Sequence, residues 1–337
     1  MTGQVRPPSI AGSLEAPPNA EASGMAASRR NPGILWLHDD SGGKPELHAV
    51  DARGKLRGRI RLDASSGDWE DLAAAEIDGR AYLFLGDTGD NDAKRSKVYL
   101  HVIPEPSASE LSPASSLPVK PVASFRITYP DGPRDCESVA VDPVERAVYL
   151  LSKRDPTPRL YRIDLPSPLR GGDVTPRFIG EVPNLPQRGQ KRRDGRVLSW
   201  PVAMDFAPSG RLAAVLTYTQ PVLFTRAGGE SWASALARTP VVLPPHNLPQ
   251  AEAMAFSADG SALYVASEKS RNLVRYDLAP GVSPPVPVKR GGKMARRKRT
   301  PRWVWWTASL GAVALVVGGY FLLRAPRAAG TQTNRRR

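Results

Sequence analysis

Five times along the chain a short run of small and apolar residues is followed by a turn and then by a second apolar run that ends on a polar residue. The units are "SGMAASRRNPGILWLHDDS" from Ser23, "EDLAAAEIDGRAYLFLGDTG" from Glu70, "ESVAVDPVERAVYLLSKRD" from Glu137, "VAMDFAPSGRLAAVLTYTQ" from Val202 and "EAMAFSADGSALYVASEKS" from Glu252. Runs this short, broken by Gly, Pro and Asp, predict strands joined by tight turns rather than helices. A third strand follows each unit: "ELHAVDARG", "KVYLHVIPEP", "RLYRIDLP", "PVLFTRAGG" and "NLVRYDLAPG". Fourth candidates follow in all but the last: "LRGRIRL", "VASFRITYP", "RFIGEVP" and "TPVVLPP".

Four antiparallel strands per unit, repeated along the chain, form the pattern of a β-propeller blade. The fifth unit lacks an outer strand, and the N-terminal "QVRPPSIAGSLEA" can supply it. Joining the two ends in one sheet would close the ring and remove an exposed edge. The predicted fold is therefore an all-β propeller of five blades over residues 21–282, with residues 1–20 as a segment holding the closing strand. Six blades is the alternative if Pro166–Ser199, which carries the basic loop "QRGQKRRDGR", hides a degenerate unit. A β-sandwich explains neither the five similar units nor the unpaired last edge.

Beyond the repeats the composition changes. Residues 283–302 run from a Pro/Gly-rich stretch into a basic linker, 303–323 are apolar, and 324–337 form a basic tail. The segment "WVWWTASLGAVALVVGGYFLL", Trp303–Leu323, has 21 residues and no charge. At ~1.5 Å per residue it just spans a ~30 Å hydrocarbon core. Trp303, Trp305, Trp306 and Tyr320 suit the two interfaces, which predicts a C-terminal transmembrane helix and a membrane as one partner. Eight Lys/Arg precede the segment and five follow it, and no apolar signal region opens the chain. Both observations favour a propeller on the cytoplasmic side of the membrane; an exported propeller is the alternative.

The net charge of +14 invites a nucleic-acid reading, but the first 288 residues hold 34 basic and 33 acidic side chains. The excess belongs to the tail, and no basic face for nucleic acid is expected on the propeller. Cys136 is the only cysteine, which excludes an intramolecular disulfide and a cysteine-based zinc site.

Candidate chemistry lies where the repeats align. First strands of a propeller line its axis. The aligned positions there are Ser23, Glu70, Glu137, Val202 and Glu252, and two residues earlier stand Glu21, Asp68, Asp135, Trp200 and Gln250. The second strands end on Asp40, Asp87, Lys153, Tyr218 and Glu268. Converging carboxylates require cations, shared protons or Lys/Arg partners. Lys153, Arg154 and Lys269 are available as partners, with Trp200, Tyr218 and Glu268 beside them as a ligand-binding set. A hard cation such as Ca²⁺ is the other solution, with Asp68, Glu70, Asp87, Asp90, Asp92, Asp135, Glu137 and Glu252 as candidate ligands. "DTGDND" alternates acids as calcium loops do, but lacks the spacing of an EF-hand, and Asp and Gly also suit a plain turn. His38, His48, His101 and His246 show no zinc spacing. Ser41 beside His38 and Asp40 is a weak nucleophile candidate. Trp36, Tyr82, Tyr149 and Tyr264 fall in second strands as expected core.

The combination "DWED" (Asp68–Asp71), "GDTGDN" (Gly86–Asn91), Arg95 and "PEP" (Pro104–Pro106) resembles a group of poorly characterised bacterial β-propeller proteins, WD-repeat-like or phytase-like. Ser23-Gly24 and Trp36…Asp40-Ser41-Gly42 precede it, as in that group. The likeness spans residues 20–280 and weakens in the fourth unit, where Val202 stands in place of the acid. It implies fold more than chemistry. A phytase-like activity would imply clustered calcium ions with Lys/Arg for phosphate, and many such propellers look exported.

Two functions follow. One is a binding or scaffolding propeller, held at a membrane, that receives a protein or small-molecule ligand at an acidic axial site. The other is a metal-dependent hydrolase of phosphoesters or lactones. Geometry discriminates them: the hydrolase needs several carboxylate oxygens converging on one point, whereas acids paired one-to-one with Lys and Arg remove its main support.

Overall fold

The computed structural model describes residues 6–17, 21–40, 45–64, 67–187 and 189–278. They form five antiparallel blades, each counted outward from the axis. Blade 1 runs Ala22–Ala27, Ile34–Asp39, Glu46–Asp51, Leu56–Leu62; blade 2 runs Asp71–Ile77, Arg80–Asp87, Val98–Pro104, Ala123–Ile127. Blade 3 runs Cys136–Asp142, Ala147–Ser152, Arg159–Asp164, Arg177–Glu181; blade 4 runs Pro201–Phe206, Leu212–Thr217, Pro221–Thr225, Val241–Val242. Blade 5 contributes Ala251–Phe256, Ala262–Ser267 and Ser270–Asp277, and the N-terminal strand Ser9–Ser13 completes it, with Ser9 opposite Arg275 and Ser13 opposite Asn272. The ring closes through its two chain ends, as the missing strand of the last repeat predicts.

The first strands are buried along their whole length in blades 1, 3, 4 and 5. They read as continuous apolar runs because both faces of each blade are covered by a neighbour. Five apolar clusters result, one in each seam. Ala73, Phe84 and Val139 belong to the seam of blades 2 and 3, and Tyr149, Phe206 and Trp232 to that of blades 3 and 4. Trp36, Tyr82, Tyr149 and Tyr264 are buried.

Each first strand packs against those of both neighbours, and that of blade 2 also reaches blade 4. A first strand has a ladder partner on one side only, so its inner N–H groups need other acceptors. The first hairpin of blade 2 is the tightest, turning through Asp78 (φ 52°) and Gly79 (φ 77°), the left-handed pair that a two-residue hairpin requires.

Two strands lie outside the repeat pattern. Ser116–Val119 adds a fifth, parallel strand to blade 1, and Gly172–Val174 adds one to blade 2. Segment 166–199 therefore forms no sixth blade. It supplies the fifth strand of blade 2, the outer strand of blade 3 and a small hairpin with a Lys191–Val197 bridge. The segment Trp303–Leu323, its basic flanks and Ser41 lie outside the described residues. Among the described residues no helix is long and apolar enough to cross a membrane.

Candidate functional site

Main-chain bonds set the aligned residues side by side at one end of the axis. The residue after the second strand donates its N–H to the residue before the first: Asp40 to Glu21 (3.2 Å), Lys153 to Asp135 (2.9 Å) and Glu268 to Gln250 (3.1 Å). In blade 2 the bond runs from Gly89 to Asp68 (3.2 Å). The register also shifts in four first strands, and the residue inside the shift is Ser23, Glu137, Val202 or Glu252. A bulge at this point bends the strand and re-aims one side chain. The repeat alignment thus found the bulge positions, and Glu70 stands just before the corresponding strand of blade 2.

Blades 3 and 4 bring cations and aromatic rings together. The Lys153 ammonium forms a buried ion pair with Glu137. It lies 5.4 Å from the centre of the Tyr218 ring and 6.0 Å from that of Trp200, the range of a cation–π contact. The Arg154 guanidinium stacks on Trp200 at 4.8 Å and bonds Asp135 Oδ2 through Nε at 2.6 Å. Arg196, from the basic loop of segment 166–199, lies 5.7 Å from the Tyr218 ring centre. Burial works against the charge on Lys153, but Glu137, Tyr218, Glu252 and Glu70 hold the ammonium protonated well above the ordinary lysine range. Lys269 is exposed, and its side chain forms no ion pair among the described residues.

Blades 1, 2, 3 and 5 supply acid. Glu70, Asp135 and Glu137 can each bring one oxygen within 4.8 Å of the others, and so can Asp40, Asp68 and Glu70. Burial, then the charge of Glu137, pushes the Glu70 carboxyl well above the usual range; Asp68 and Asp135 add to this and Lys153 opposes it. Glu268 is pushed up to about 10 by burial, then by the hydrogen bond and charge of Glu252. Glu268 therefore carries a proton at neutral pH and can donate a hydrogen bond.

This arrangement sets a pH dependence. Folded Glu268 keeps a proton that the unfolded chain releases near its ordinary value of 4.5. Between there and about 10 the folded state holds more protons, so stability falls as pH rises. One proton gives a limiting slope of about 1.4 kcal/mol per pH unit. His38, His48 and His246 are pushed down to about 4 by burial, so they are neutral in both states above pH 7 and do not enter. Urea unfolding at pH 7, 8 and 9 is expected to show a decline that Glu268→Gln makes shallower; an unchanged slope would contradict the assignment.

The acids of "GDTGDND" are engaged locally. Asp87 accepts from Gly67 N (3.1 Å), Asp68 N (2.9 Å) and Arg95 Nη2 (2.8 Å). Asp90 accepts from the N–H groups of Lys94 and Arg95, both at 2.8 Å, and its own N–H donates to Asp135 Oδ1 at 3.0 Å. Asp92 is exposed and pairs with Lys94. The turn thus positions Asp68 and Asp135 through the main chain, and Arg95 locks it.

The last acid of "DWED" has a different role. Asp71 is fully buried and accepts from Leu72 N (2.8 Å), from Val139 N of blade 3 (2.8 Å) and from Met204 N of blade 4 (3.2 Å). Asp205 repeats the device, accepting from Phe206 N (2.8 Å) and from Phe256 N of blade 5 (2.9 Å). These carboxyls satisfy inner-edge N–H groups that have no ladder partner. Glu105 of "PEP" clamps blade 2 to blade 1. It accepts from Ser28 Oγ, from Arg29 N (3.0 Å), Arg30 N (3.1 Å) and Asn31 Nδ2 (3.3 Å), and from Trp36 Nε1 (2.8 Å). The signal for Asp205 is a lone acid inside an apolar strand; Asp71 has no such signal among the acids of "DWED".

No family model matches the chain, and no curated protein does.

Proposed function

We propose that the protein is a binding module whose ligand, a small molecule or a protein loop, enters the acid-and-aromatic end of the axis. The buried Lys153–Glu137 pair beneath Trp200 and Tyr218 carries this reading. It supplies a fixed positive charge and flat apolar faces, next to carboxylates and a proton-bearing carboxyl. Such a site suits a ligand with acceptors on the Lys153 side and a donor or cationic group facing Asp68 and Glu252. A screen of small amino acids, amines and short peptides by saturation-transfer NMR tests it. Binders are expected whose signal is lost on Trp200→Ala and on Glu252→Gln; binders indifferent to both changes would place recognition elsewhere.

The hydrolase alternative requires a cation among Glu70, Asp135 and Glu137. Calcium takes six to eight oxygens. Two of these three carboxylates already face protein cations, Asp135 with Arg154 and Glu137 with Lys153. Lys153 acts as the built-in cation of this triad, and the Asp40–Asp68–Glu70 group brings three carboxylate oxygens together where calcium takes six to eight, so we derive no reaction through a metal.

We further propose that Trp303–Leu323 anchors the module to a membrane. The full chain is expected to resist carbonate extraction from membranes, and deletion of 303–337 is expected to release it. Extraction of the full chain would overturn the anchor.

A further inference from the structure

The opposite end of the ring, where first strands turn into second strands, carries a separate cluster. A cavity of about 480 Å³ opens between blades 1 and 2, with Arg29, Arg30 and Arg80 in its wall. Arg29 bonds Ala74 O through Nε at 2.9 Å, while its Nη1 is buried and has no hydrogen-bond partner among the described residues. Arg30 spends Nη1 on the Glu105 main-chain oxygen at 2.9 Å and stands 3.9 Å from the half-exposed Glu110 carboxylate. Arg80 is exposed and forms no ion pair among the described residues.

The wall also contains two acids, Glu76 and Glu105. The Glu105 oxygens are filled by a hydroxyl, two main-chain N–H groups, an amide and an indole, none of them a guanidinium. Three guanidinium groups thus share the wall with one other carboxylate, Glu76, while the Asp205 carboxylate also acts on Arg29; a buried N–H left unbonded is costly. An oxyanion removes that cost and gains charge-assisted bonds. Three guanidinium groups in one wall suit a tetrahedral anion, which offers oxygens in several directions. The volume exceeds what one inorganic phosphate needs and leaves room for a substituent.

We infer that this cavity binds a phosphate monoester through Arg29, Arg30 and Arg80. The ester could be a soluble metabolite or a lipid with a terminal phosphate.

Isothermal titration of the full chain in a neutral detergent tests the inference, with inorganic phosphate, glycerol 3-phosphate and short-chain phosphatidic acid as probes. Saturable binding is expected, tighter for an ester than for inorganic phosphate. Arg30→Gln plus Arg80→Gln, both exposed, is expected to weaken it at least tenfold with an unchanged melting temperature. Arg177→Gln, on the outer strand of blade 3, is expected to leave it unaltered. Preference for glycerol 3-phosphate supports the site with a soluble ester; preference for phosphatidic acid supports it with a lipid. The inference is overturned if no probe binds saturably, if the double variant retains affinity, or if Arg177→Gln weakens binding equally.

Discussion

Lys153→Ala is expected to lower the unfolding free energy by about 3–5 kcal/mol, the cost of leaving one partner of a buried ion pair alone. Both side chains are almost fully buried, Lys153 at 4% and Glu137 at 4% exposure, so solvent cannot replace the lost partner. The loss extends beyond the pair, because the same ammonium faces Glu70 and Glu252. Without it Glu137, which burial pushes up and the Lys153 charge holds down, rises further and takes up a proton. The defect is therefore expected to shrink as pH falls toward 5, since the variant's folded state gains protons that the unfolded chain lacks. Lys153→Met combined with Glu137→Leu removes both charges and fills the space, and is expected to be near neutral in stability. Ligand binding at this end should nevertheless be lost in the double variant. Denaturant unfolding of the three proteins at pH 5 and 7 checks the series. Equal destabilisation by the single and double changes would show that packing, not charge, holds the site.

Asp71→Ala is expected to cost several kcal/mol through a different route. Three main-chain N–H groups lose their acceptor, at about 1–3 kcal/mol for each one left buried and unbonded. Two of them, on Val139 and Met204, belong to other blades, so the change also removes bonds that join blade 2 to blades 3 and 4 across the axis. Asp71→Asn restores one acceptor oxygen but turns an amide toward an N–H that needs an acceptor. Both Asp71 oxygens are engaged, Oδ1 by Leu72 and Oδ2 by the other two. Asn is thus expected to fall between Asp and Ala, with a Glu70→Gln control near wild type in stability. Denaturant midpoints rank the four proteins. A harmless Asp71→Ala would mean that water satisfies these groups.

Much of this architecture was legible in the sequence, for a physical reason. Each blade is a chain of short antiparallel hairpins, so its strands and turns leave local signals at a regular period. The same regularity placed Glu70, Glu137, Lys153 and Glu268 at one end before any contact was known. The unpaired fifth repeat pointed to the closing strand Ser9–Ser13. The parallel strands Ser116–Val119 and Gly172–Val174 left no such trace, because a parallel partner needs no turn and can arrive from any connection. Asp71 was hidden by its neighbours: in a stretch so rich in acids, the residue with a structural task looks like those at the site. Arg196 was hidden by a loop composition that reads as solvent-exposed, although folding lays it over Tyr218. The turn "GDTGDND" resembled a calcium loop because Asp and Gly serve both purposes. Only contacts show that Asp87 and Asp90 are bonded to main-chain N–H groups, and Asp87 also to Arg95.

We propose that Lys153, rather than a metal, balances the axial acids. Thermal unfolding of the full chain, followed by tryptophan fluorescence during titration with Ca²⁺, Mg²⁺ and Mn²⁺, tests it most directly. A metal bound only by the folded state at a hundred times its Kd would add about 2.7 kcal/mol and raise the melting temperature by several degrees. No saturable shift is expected with any of the three ions. A saturable rise that disappears in Glu70→Gln plus Glu137→Gln would contradict the account and make the axis a metal site.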